Sequence, residues 1–222
     1  AYLSTKQMAW PEQAEVEALD AYLEEFVWGG LQKRDDEIYP YGIYGITDWY
    51  QNRNSEDGDV GGQEHIWRIY DYPHIFLTYY NMYYVAKYHP EVQTRHTSDD
   101  YLNKAYHTAV TMFTLPLELA TWSAYETGLY NELVIEDIIE ALELEGRPVE
   151  ARRLRRHWDR KVDAFMGEDK DIFGSEYPFD TTGFESTQAL GNRAMQRLLL
   201  EEVKQERPDG RPKLTPAVVH GF

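Results

Sequence analysis

The stretch Leu133-Val134-Ile135-Glu136-Asp137-Ile138-Ile139-Glu140-Ala141-Leu142-Glu143-Leu144-Glu145-Gly146-Arg147-Pro148-Val149 decides the fold class. Val134, Ile135, Ile138, Ile139 and Leu142 recur at three- and four-residue spacing, which places them on one face of a helix over residues 133–145. Gly146-Arg147-Pro148 stops that helix, since glycine accepts a left-handed conformation and proline suits the first turn of whatever follows. From Val149 to Met166 the period returns. Leu154, Trp158, Val162 and Phe165 share one face, and Arg152, Arg153, Arg155, Arg156, Arg160 and Lys161 are read as the solvated face. Two amphipathic helices joined by so short a turn form an antiparallel hairpin. One such hairpin could pass for a tetratricopeptide unit, but the pattern does not recur at a fixed period.

Outward from this hairpin the chain keeps reading as helix. Pro11 to Trp28 carries Ala14, Ala18, Leu19, Tyr22, Leu23 and Phe26 at helical spacing, and Gly29-Gly30 ends it. Tyr72 to Lys87 follows, with Pro73 at a permitted first-turn position. Ser98-Asp99 opens a helix to about Trp122, with a kink or break expected near Pro116. A last helix runs from about Gly183 to Gln205, with Thr182 and Glu185 at capping-box spacing. The expectation is a mainly α chain of about six helices, with short strands expected only within residues 38–70. Hairpin turns lie on one side and long aromatic, acidic loops on the other. Residues 1–205 are read as one domain and 206–222 as a Pro-rich tail or linker.

Composition narrows the partners. The 222 residues carry a formal net charge of −17, which repels phosphate backbones and anionic membranes, so neither nucleic acid nor membrane is expected. No apolar run approaches the roughly 20 residues of a bilayer span. The start shows no basic-then-apolar leader, and the beginning at Ala1 with a Pro-rich end reads as a processed or excised piece. Cysteine is absent, which removes disulfides and thiolate chemistry. His65 and His74 lack a helical histidine partner, and Asn52, Asn54, Asp57 and Asp59 miss the spacing of a calcium loop. No metal and no cofactor are expected.

The functional signal sits in the loops. From Leu31 to about Asp71 no helical period holds, and so long a connection inside a compact domain tends to be functional. It contains Tyr41-Gly42-Ile43-Tyr44-Gly45, Trp49-Tyr50-Gln51-Asn52-Arg53 and Trp67-Arg68-Ile69-Tyr70-Asp71-Tyr72-Pro73-His74. A second loop, Glu176-Tyr177-Pro178-Phe179-Asp180-Thr181-Thr182-Gly183-Phe184-Glu185-Ser186-Thr187-Gln188, packs carboxylates, rings and hydroxyls into one turn before the last helix. In order and character these segments, with helical hairpins between them, resemble the six-hairpin (α/α)6-toroid glycosidases, and most closely a poorly characterised bacterial glycosidase-like branch. The resemblance spans about residues 29–205. It implies helical hairpins forming part or all of an (α/α) toroid, with the aromatic loops at one rim lining a sugar cleft. It also implies a secreted or periplasmic location. A full toroid has about twelve helices, so the remainder of the catalytic domain, or another chain, is the expected partner beside a carbohydrate substrate.

Glycoside hydrolysis needs one carboxyl group to protonate the leaving oxygen and another to act as base or nucleophile. Candidates outside regular helix are Glu176, Asp180, Asp71, Glu185, Asp48 and Glu64. Glu176 ranks first because nothing in its local sequence gives it another task. Asp71 competes with a helix-capping role and Glu185 with a capping-box role. Glu118, Glu126 and Glu132 are read as surface or core-rim groups. Trp49, Tyr50, Trp67, Tyr72 and Tyr177 offer ring faces to sugars, and Arg68 and His74 offer polar contacts. Two other functions stay open. A polysaccharide lyase would use Tyr72, His74 and Arg68, and a non-catalytic glycan-binding scaffold would use the same loops without turnover.

Overall fold

The computed structural model describes residues 2–45, 65–167 and 181–205, with the side chains of the last helix described from 184 to 201. Seven α-helices dominate and no β-sheet forms among the described residues. They are α1 (Tyr2–Ala9), α2 (Gln13–Ala21), α3 (Tyr72–Tyr88), α4 (Ser98–Ala120), α5 (Val134–Leu144), α6 (Pro148–Met166) and α7 (Thr181–Gln205). The fold is mainly α, as the periodicity requires. A π-helical turn, Tyr22–Val27, extends α2, and a 3₁₀ turn, Ile69–Asp71, feeds α3.

Helices α3 and α4 pack along their length, α5 and α6 form the hairpin read from the sequence, and α7 packs on α6. The core between them holds Tyr72, Phe76, Tyr79, Leu102, Phe113, Ile135, Ile138, Leu142, Leu154 and Trp158. The short connections lie at one end. There Arg147 forks onto Glu150 at 2.7 and 2.7 Å and reaches Asp99 at 3.1 Å, so the α5–α6 turn is tied to the start of α4. Thr97 caps α4 with a reciprocal bond to Asp100.

Several boundaries differ from the periodic reading. The expected helix from Pro11 to Trp28 starts at Gln13 and becomes π-helical at Tyr22. Residues 2–9 form an unforeseen helix, held by Asn81 on α3, whose Nδ2 donates to Ser4 Oγ and Thr5 Oγ1 at 3.0 and 3.1 Å. Pro116 does not break α4. The helix runs on to Ala120 and ends where Thr121 turns left-handed at φ 54°. The described part of the connection after α2 is anchored by isolated bridges. Gln32 bridges to Trp28 and Ile43, and its buried amide donates to Thr108 Oγ1 at 2.7 Å while accepting from Tyr79 at 2.9 Å.

Candidate functional site

Chain direction places the N-terminal ends of α3, α5 and α7 together, opposite the short turns. Side chains from three separated segments meet there. Trp67 packs on Trp122, just past α4, with centroids 5.4 Å apart, and Tyr70 meets the same indole edge-on at 5.6 Å. His65 stands against Trp67 at 5.2 Å. Trp122 itself is steadied by its Nε1 donating to Thr127 Oγ1 at 3.3 Å. The sequence had assigned Trp122 only as a helix end; the left-handed turn at Thr121 is what carries its ring to the loops.

Beside the rings, Arg68 Nη1 donates to Asp71 Oδ1 at 2.5 Å, and the guanidinium lies 5.6 Å from the Tyr70 centroid. Asp71 occupies the position before α3 but makes no capping bond there. Its carboxylate is turned to Arg68 instead, which removes the capping alternative. Gly45 lies against this pair, since a Cβ there would come within 2.9 Å of Arg68 Cβ and 3.2 Å of Asp71 Oδ2.

One turn along α3, His74 Nδ1 meets Asn131 Nδ2 at 2.8 Å, and the Tyr130 ring lies 6.3 Å away. Partial burial holds the imidazole below its ordinary pKa; nearby Arg68 adds to that effect and Glu185 opposes it. His74 is therefore neutral at pH 7, with Nδ1 accepting from the amide and Nε2–H left as a donor. Asn131 is in the left-handed region at φ 61°, a conformation asparagine tolerates better than most residues. Glu185, in the first turns of α7, points Oε1 at the Leu133 N–H at 3.4 Å. Because α7 begins at Thr181, Thr182 lies within the helix and the capping-box reading of Glu185 does not hold.

Tyr72 is corrected. It is wholly buried, its hydroxyl donates to the Ile66 carbonyl at 2.5 Å and accepts from the Ile43 N–H at 3.3 Å. The ring pins the long connection to the core and offers no face to a ligand. Trp67, Arg68, Asp71, His74 and Glu185 are brought to the shared end. Asp48, Trp49, Tyr50, Glu64, Glu176, Tyr177 and Asp180 lie outside the described residues.

Beneath this end lies a group that sequence reasoning placed elsewhere. Glu132 and Lys161, read as a rim acid and a solvated base, are both fully buried and paired with one another. Lys161 also donates to the Thr127 carbonyl at 2.6 Å; Glu132 accepts from the Leu129 N–H at 3.1 Å and from Ser186 Oγ. Ser186 in turn accepts from Leu129 N–H at 2.7 Å. Burial pushes the carboxyl up and the ammonium down, and each partner's opposite charge works against that shift. The network fastens residues 127–132 to α6 and α7, and so fixes Tyr130 and Asn131 against His74.

Among the described residues no group of three or more His, Asp or Glu could hold a metal ion, and no helix is long and apolar enough to cross a membrane. The arrangement offers ring faces, an imidazole N–H and carboxylate acceptors, a set suited to polyhydroxylated ligands.

The fold and this end of it define a mainly helical domain with its polar and aromatic groups gathered where three helices begin. Residues 1–190 match the Family of unknown function (DUF5695), and the chain belongs to that family. No curated protein and no solved structure matches it.

Proposed function

We propose that this domain binds a neutral oligo- or polysaccharide and hydrolyses its glycosidic bond, as part of an (α/α) toroid. The observation that carries the reading is the meeting of Trp67 and Trp122 with Arg68–Asp71 and with His74, Asn131 and Glu185 at the common end of α3, α5 and α7. Sugar rings present apolar C–H faces to aromatic surfaces and hydroxyls to carboxylate acceptors and N–H donors, and both kinds of group are adjacent here. In this reading Glu176 protonates the leaving oxygen, and a second carboxylate, Asp71 or Glu185, takes the proton of the attacking water. The His74 Nε2–H and Arg68 orient hydroxyls. The toroid calls for further helices against α7, whose Phe184, Met195, Leu198 and Leu199 are exposed.

The burial of Tyr72 leaves the lyase alternative without its tyrosine, which favours hydrolysis. The test is release of new reducing ends when the 222-residue chain is incubated with a panel of neutral glycans. Cleavage is expected, and Glu176→Gln is expected to lower kcat by about 100-fold or more with an unchanged circular dichroism spectrum. A wild-type chain that cleaves none of the panel overturns the proposal, and products with a new ultraviolet-absorbing double bond assign a lyase instead.

A further inference from the structure

A pocket of about 350 Å³ opens between α1, α3, the start of α5 and Glu185 of α7. Its size falls in the roughly 300–1,000 Å³ class of small-ligand sites. Leu77 and Tyr80 of α3 form apolar wall, and Tyr2 of α1 stands almost wholly exposed among the lining residues. The charged groups among the described lining residues are Asp137 and Glu185, with no lysine or arginine. Asp137 also feels Glu140 and Glu136, and these add to partial burial in pushing its carboxyl up. Two carboxylates on one wall, with no basic side chain among the described lining residues, attract a cation.

Asn81 points to the same conclusion independently. It lines the pocket and is only 1% exposed. Its Nδ2 is committed to Ser4 and Thr5, and its Oδ1 has no hydrogen-bond partner among the described residues. A buried carbonyl without a donor is costly, and a ligand N–H would remove that cost. A bare metal ion fits poorly, because the described acids gather no ligand set and much of the wall is apolar.

We propose that this pocket binds an organic ammonium whose apolar or ring-shaped body lies on Leu77 and Tyr80 and whose charged end faces Asp137, Glu185 and Asn81. The inference stands whether or not the neighbouring groups cleave sugars. An amino sugar and an aryl-alkyl amine share this chemistry, so both are probes. Isothermal titration of the 222-residue chain with glucosamine and with 2-phenylethylamine is compared with glucose and 2-phenylethanol. The ammonium ligands are expected to bind in the millimolar range and the neutral ones at least about tenfold more weakly. The tighter of the two amines identifies the source.

Asp137→Asn, at a solvent-reaching position, is expected to weaken binding about tenfold, whereas Glu140→Gln, outside the lining, leaves it unchanged. Equal affinity for charged and neutral probes overturns the proposal, as does no binding of either amine by about 20 mM. Equal losses in Asp137→Asn and Glu140→Gln also overturn it, because they reduce the effect to the general acidity of the chain.

Discussion

Glu132 and Lys161 are closed off from solvent, so neither can be changed alone without stranding a charge. Breaking a buried pair from one side costs about 3–5 kcal/mol, whereas removing both charges is often mild. Glu132→Gln and Lys161→Met are each expected to lower unfolding free energy in urea by about that amount, with Glu132→Leu/Lys161→Met recovering part of the loss. Additive losses in the double variant refute the coupling. His157 gives a second prediction. Burial first, then Arg153, Arg156 and Arg160, push its pKa down to about 4, and the neutral ring accepts from the Tyr125 hydroxyl at 2.7 Å while stacking on Phe113. An unfolded histidine titrates near 6.5, so the unfolded chain binds more protons between about 4 and 6.5. The contribution is complete above about pH 6.5 and is lost as pH falls toward 4. Because the ring is partly solvated, about 1 kcal/mol is expected rather than the full shift. Urea melts at pH 7.5 and pH 5 should show a smaller difference for His157→Gln than for the wild type; an equal difference assigns the acid sensitivity elsewhere.

At the scale of elements, the caps and close approaches carry the testable weight. Thr97→Ala removes the side chain that accepts the Asp100 N–H at 3.2 Å, and about 1 kcal/mol of stability is expected to go with it. Gly45→Ala places a methyl 2.9 Å from Arg68 Cβ, so the Arg68–Asp71 pair has to move while the helices stay. Unchanged circular dichroism with an altered Arg68 side-chain NMR resonance is the expected result, and an unshifted resonance contradicts the packing. These elements also show what was legible beforehand. The Val134 to Leu142 stripe and the Gly146 turn announced α5 and its hairpin because burial of one face demands a 3.6-residue period. Helix α1 was not legible, since its buried residues are the polar Ser4 and Gln7, whose burial depends on partners such as Asn81 far along the chain. Pro116 misled because a proline tolerated late in a helix looks the same in sequence as one that ends it. At the candidate site, Trp67, Arg68, Asp71, His74 and Glu185 were named from composition and context, and the fold brings them to one end. Asn131 and Trp122 were not, because a left-handed backbone at Asn131 and Thr121 positions them, and such backbone leaves little periodic trace. Tyr72 was misassigned because nothing local reveals which of so many tyrosines turns inward.

For the molecule as a whole, two electrostatic effects oppose one another. The formal charge of −17 makes the folded state repel itself, since folding brings 39 acidic residues closer together than in the open chain. Against this stand ion pairs across elements, including Arg147–Asp99, Arg193–Asp159 and Arg197–Asp163. Pairs with one or both partners in water are each worth about 0–1 kcal/mol, and salt weakens them too. The buried Glu132–Lys161 pair is shielded from mobile ions and should hardly respond. Repulsion acts over distances comparable to the Debye length, which shrinks from about 30 Å at 0.01 M to about 8 Å at 0.15 M ionic strength. The long-range repulsion is therefore screened more completely than the contact pairs. Thermal unfolding between these two salt concentrations is expected to show a higher Tm at 0.15 M. The rise should be a few degrees, since about 1 kcal/mol corresponds to roughly 2–4 °C for a chain of this size. A Tm that falls with sodium chloride over this range would mean that the cross-element ion pairs, rather than the net charge, dominate the balance.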